Sequence, residues 1–103
     1  MHDQIESHLA ELRALCGRFA VARLDVFGSA ARGADFDPAR SDADFLVEFQ
    51  TEARLPPLEQ FFGLNEALER LLGRRVDLIE TGAVRNPYVL AEIGRTREFI
   101  YAA

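Results

Sequence analysis

The 103-residue chain (11.6 kDa) is long enough for one small hydrophobic core and too short for two, which predicts a single domain over residues 1–103. Twelve basic residues, all arginine, stand against 17 acidic ones for a net charge of −5, which argues against a free-standing nucleic-acid binder or an anionic-membrane binder. The lone Cys16 excludes an internal disulfide and fits a reducing cytoplasm, and no apolar run approaches the ~18–20 residues that span a bilayer.

Taken in chain order, the first element is an amphipathic helix from about Asp3 to Phe19. Ile5, Leu9, Leu12, Leu15, Cys16 and Phe19 recur at helical spacing, with Glu6, Glu11 and Arg13 opposite. Val21 to Phe27 reads as a strand that stops at Gly28-Ser29, where Ser29 is a suitable N-cap for a short helix through Arg32. Gly33 to Arg40 is a break. Asp42 to Phe49 is the strongest strand signal, with Phe45, Val47 and Phe49 on one face at period two. After a break from Gln50, Pro57 to Leu72 reads as a helix with Pro at its start and Gly73 past its end. Its expected buried stripe is Leu58, Phe61, Phe62, Leu68, Leu71 and Leu72, and Gly63 inside it costs ~1 kcal/mol relative to Ala. Arg75 to Glu80 is a short strand, Pro87 to Arg95 a helix, and Glu98 to Tyr101 a final strand. Helices alternating with strands around a small mixed sheet make the class α/β (α+β).

Three features stand apart from the core pattern. Gly28-Ser29 sits at a strand-to-helix junction, where a residue without a Cβ admits a close neighbour and unpaired N–H groups face outward. The alternative is a plain capped turn. Asp42 and Asp44 share one strand face with Cα atoms ~6.5 Å apart, close enough to hold hard cations together. Their alternative is decoration of a solvated rim, although adjacent like charges in a strand repel. Asp77 lies in the apolar run Val76-Asp77-Leu78-Ile79; it completes a carboxylate site only if its strand lies beside that of Asp44.

In this order, Gly28-Ser29-Ala30-Ala31-Arg32-Gly33, Ser41-Asp42-Ala43-Asp44-Phe45 and Val76-Asp77-Leu78-Ile79 resemble the polymerase-β-like nucleotidyltransferase superfamily. More closely, the whole chain resembles the minimal nucleotidyltransferases that act as antitoxins of HEPN ribonuclease toxins, Arg85-Asn86-Pro87-Tyr88 and Ile100-Tyr101 included. The resemblance implies that Asp42, Asp44 and Asp77 are catalytic and hold two Mg²⁺ ions, with Asp77 serving as ligand or base. It assigns nucleotide binding to Gly28, Ser29 and Arg32. It implies transfer of AMP from ATP to a tyrosine of a HEPN toxin in a hetero-oligomer, without direct contact to nucleic acid or membrane. The stretch from Gly33 to Ser41 is longer than in the family's most compact members. Two alternatives carry their own expectations: a non-catalytic module that masks the toxin by occlusion, and an antibiotic-type enzyme acting on a small molecule. The three aspartates speak against the first and the lack of a substrate domain against the second.

The remaining residues have plainer readings. His2 and His8 read as surface residues, Cys16 as core, and Phe61 and Phe62 as packing. Tyr88 and Tyr101 offer hydroxyls for self-modification or, more ordinarily, rings for packing or an interface. Arg95-Thr96-Arg97 reads as a solvated helix end or a contact for an acidic partner.

Overall fold

The computed structural model describes residues 1–32 and 42–103; the expected break at Gly33–Arg40, Ser41 and the side chain of Arg32 lie outside that range. The elements run α1 (Asp3–Glu6), α2 (Leu9–Arg18), β1 (Val21–Phe27), α3 (Ser29–Arg32), β2 (Ala43–Phe49), α4 (Pro57–Leu72), β3 (Val76–Glu80), α5 (Pro87–Thr96) and β4 (Glu98–Ala102). The strands form one mixed sheet in the order β3-β2-β1-β4. β1 pairs antiparallel with β2 and β4, while β2 and β3 run parallel and are joined through α4, the long crossover that a parallel pair requires.

Both faces of the sheet are covered, so side chains alternate between two apolar layers. Leu24, Val26, Phe45, Val47 and Leu78 pack with Leu12 and Cys16 of α2 and Leu64, Leu68 and Leu72 of α4 in the main core. Phe27, Leu46 and Ile79 point the other way and meet Val89 and Ile93 of α5. Cys16 is fully buried, and that burial pushes its thiol up to about 12, which makes it a protonated core group rather than a nucleophile. None of the described helices is long and apolar enough to cross a membrane.

The expected first helix is in fact two. The His8 ring Nδ1 bonds the Gln4 carbonyl at 2.7 Å and the Ser7 hydroxyl donates to the same oxygen at 3.2 Å. That occupies the acceptor a continuous helix would offer to the His8 amide, which bonds Ile5 O at 3.1 Å instead. His2 is no idle surface residue either: its Nδ1 accepts from Gln4 N–H at 3.1 Å and caps α1.

The buried stripe of α4 is also rotated from expectation. Gln60, Leu64, Leu68 and Leu72 face the core, whereas Leu58 is 72% and Phe62 60% exposed. A polar residue leads this stripe because the Gln60 amide donates to the Phe19 carbonyl at 3.2 Å, a satisfied buried polar group that hydrophobic periodicity does not reveal. Phe61 stays half-buried and meets Phe62 edge-on at 5.3 Å between centroids. Gly63 has a steric reason to be glycine: a Cβ there would lie 2.5 Å from Cε1 of the buried Phe19 ring. Gly63→Ala is therefore expected to lower unfolding free energy by about 1–3 kcal/mol despite the gain in helix propensity. Gly17→Ala in α2, with nothing within 4 Å of its Cβ, should have the opposite sign; chemical denaturation of both variants checks the contrast.

Candidate active site

The register of the sheet builds a short row of side chains on the α5 face. Phe27 of β1 stands opposite Asp44 of β2, and Asp44 stands opposite Asp77 of β3. Because β2 and β3 are neighbours, the condition under which Asp77 joins Asp44 is met. Two carboxylates at neighbouring positions in a sheet repel, so the sequence retains an arrangement that stability alone disfavours. The row forms the floor of an open cleft of about 320 Å³ lined by Phe27, Asp44, Asp77, Ile79, Tyr88, Val89 and Glu92. Val89 contributes to the apolar contacts of α5 with the sheet, while Tyr88 and Glu92, one helical turn apart, share the cleft with the aspartates.

Asp42 is exposed one residue ahead of β2 and does not line this cleft. Thus the structure brings Asp44 and Asp77 together and leaves Asp42 at the approach to them. Among the described residues no three His, Cys, Asp or Glu side chains gather as a ready-made metal cluster. The donor chemistry nevertheless suits a hard divalent cation: Asp44, Asp77 and Asp42 offer only carboxylate oxygens, and none of the described residues lining the cleft is cationic.

Gly28 is shaped by its neighbour. Its φ is +68°, and a Cβ on it would lie 2.7 Å from Asp44 Oδ2, so the carboxylate occupies space that a larger residue would fill. The Gly28 amide does not face a ligand; it donates to Thr96 Oγ1 at 2.8 Å, and the Thr96 hydroxyl donates in turn to the Glu92 carbonyl at 2.7 Å. The expected helix start is displaced by one residue, since Ser29 is the first residue of α3 and the Gly28 carbonyl accepts from Ala31 N–H at 3.1 Å. Gly28 therefore contributes room for Asp44, and any hydroxyl contact to a ligand falls to the half-buried Ser29.

Sequence reading missed the residues that lock this corner. Asp25 is 1% exposed and accepts from Arg23 Nε at 3.0 Å and from Arg97 Nη2 at 2.5 Å, tying the end of α5 to β1. Thr96 ties the same helix to Gly28. Thr96 and Arg97 thus clamp the end of α5, while Arg95, exposed and paired to Glu92 of its own helix at 2.5 Å, is the expected solvated helix end. The partners of the clamp are distant in sequence, and only the apolar alternation around Asp25, which turns that carboxylate toward a covered face, hinted at a buried charge.

The sequence matches the nucleotidyltransferase domain family over residues 8–100. The chain belongs to this family. It is a nucleotidyltransferase by that membership, and its relatives agree. The protein adenylyltransferase MntA of Thermococcus cleftensis is 41% identical over 85 residues, 82% of this chain and 81% of that protein. A solved chain described as a minimal nucleotidyltransferase superposes with a TM-score of 0.73 at 31% identity, covering 95% of both chains. A chain from the complex of tri-AMPylated Shewanella oneidensis HEPN toxin with MNT antitoxin shares the fold, with a TM-score of 0.63 at 14% identity over 95% of this chain and 72% of that one.

Proposed function

We propose that this nucleotidyltransferase is an antitoxin that transfers AMP from ATP to a tyrosine of a partner HEPN ribonuclease toxin in the cytoplasm. The observation that carries the reading is the opposition of Asp44 and Asp77 across β2 and β3, with the Asp44 carboxylate seated against Gly28. The relative named as a protein adenylyltransferase supports the choice of AMP and of a protein acceptor. So does the cleft itself. At about 320 Å³ and open to solvent, it does not enclose a small acceptor, which leaves the acceptor side to the surface of another molecule.

Within this reading each residue has a task. Asp42 and Asp44 hold Mg²⁺, two ions in all, with Asp77 as the third carboxylate. Bound there, Mg²⁺ neutralises the triphosphate and polarises its α-phosphorus. Gly28 sets the position of the Asp44 carboxylate, and Ser29 offers its hydroxyl to the phosphates. Arg32 follows as the remaining nucleotide-binding residue. Asp77, on the edge strand and open to solvent, takes the proton of the incoming phenol, whose ordinary pKa of about 10 keeps it protonated at neutral pH. An adenylyl group on the toxin adds bulk and negative charge where RNA must bind.

Co-expression with the toxin separates catalysis from occlusion. The unmutated chain should restore growth, and the Asp42→Ala, Asp44→Ala double variant should not, although it still co-purifies with the toxin. Equal rescue by the double variant would replace the enzymatic reading with simple masking.

A further inference from the structure

The cleft holds a nucleophile of its own. Tyr88 is 85% exposed, the most exposed of the large hydrophobic side chains among the described residues, so the packing role expected of it is not realised. It nevertheless lines the same cleft as Asp44 and Asp77. Its backbone is held firmly: Pro87 opens α5, and the Tyr88 amide donates to the Asn86 side chain at 2.8 Å. Its hydroxyl has no hydrogen-bond partner among the described residues. A fixed main chain carrying an unengaged phenol beside two carboxylates is the arrangement of an acceptor.

The direction of the cleft agrees. Across the sheet, Gly28 lies on the β1 side of Asp44 and Asp77 on the β3 side. The cleft reaches from Phe27 to Asp77 and Ile79 but takes in neither Gly28 nor Ser29. A triphosphate resting at Gly28-Ser29 therefore leaves the cleft that Tyr88 shares with Asp44 and Asp77 open to an attacking hydroxyl. The chain contains one other tyrosine, Tyr101, which provides an internal comparison. It is half-buried on β4, the edge strand opposite β3, and packs against the main core.

We propose that Tyr88 is a self-adenylylation site, modified by this chain when no toxin occupies the acceptor side; the proposal rests on the adenylyltransferase reading above. The Tyr88 Oη attacks the α-phosphorus of ATP and forms the new O–P bond. The bond from the α-phosphorus to the bridging oxygen breaks, and pyrophosphate leaves with that electron pair. The phenolic proton passes to the Asp77 carboxylate and then to solvent. ATP is the only co-reactant, so atoms and charge balance without an oxidant or reductant.

The test is intact-mass and peptide-mapping mass spectrometry of the purified chain alone after incubation with ATP and Mg²⁺, beside a parallel reaction containing the toxin. The expected result is a gain of one adenylyl group on the peptide carrying Tyr88, absent with chelator and absent in Tyr88→Phe, whose melting temperature should match the unmutated chain. Modification of the toxin with no gain on this chain alone would overturn the proposal and leave the antitoxin reading standing, as would a group mapped to Tyr101 or any other residue. If neither protein gains mass, both readings fall together.

Discussion

Asp44→Asn should abolish adenylyl transfer, by at least about 10³-fold, while leaving the fold intact. The substitution preserves the size and shape of the side chain but removes the charge that a divalent cation requires. Asp44 occupies the middle of the Phe27–Asp44–Asp77 row, so no other side chain of the cleft stands in its place. Its stability signature is distinctive. Asparagine keeps the volume of the side chain and can still accept and donate hydrogen bonds, so the variant should melt within about 1 kcal/mol of the unmutated chain. Paired activity and thermal-melt measurements check this, and a large loss of stability would assign Asp44 to holding the fold rather than to chemistry.

Gly28→Ala should be the second most damaging change, and for a geometric reason. Alanine at a φ of +68° carries about 1–2 kcal/mol of backbone strain, and its Cβ would stand 2.7 Å from Asp44 Oδ2. The atom it meets is the end of a side chain, which can swing aside, so the fold survives and the carboxylate is displaced. A shift of order 1 Å in a reacting constellation costs on the order of 10²-fold in rate. Gly73→Ala is the matched control: its φ is +66°, yet nothing lies within 4 Å of its Cβ. Both variants should lose similar stability in denaturant titrations, and only Gly28→Ala should lose transfer activity.

Most element positions were legible because two local periodicities were clean. The strands at Val21 and Asp42 and the helix from Pro57 are found where alternation and helical spacing put them, to within a residue. What failed locally failed through side-chain hydrogen bonds that no hydropathy pattern carries. His8 and Ser7 take the Gln4 carbonyl and split the first helix, and Gln60, satisfied by the Phe19 carbonyl, takes a core position of α4 that hydropathy assigns to an apolar residue. Around the site, Asp44 and Asp77 were identifiable as residues, but their opposition depends on β3 pairing with β2 across a 16-residue helix. The Thr96–Gly28 bond and the Arg97–Asp25 pair join residues 68 and 72 positions apart, and one sequence contains no signal of either contact.

A small acidic protein that takes an anionic nucleotide needs a source of positive charge. Among the described residues the cleft offers carboxylates and no cationic side chain, so under the proposed function ATP is expected to bind there together with added cations. Chelator is then expected to weaken nucleotide binding as well as transfer.

The most direct measurement is the intact mass of the partner toxin after incubation with this chain, ATP and Mg²⁺, with and without chelator. The account requires a gain of one or more AMP units on the toxin that disappears with chelator and with Asp44→Asn. An unchanged toxin mass in an intact complex would contradict it, leaving a binding module whose paired aspartates serve no transfer.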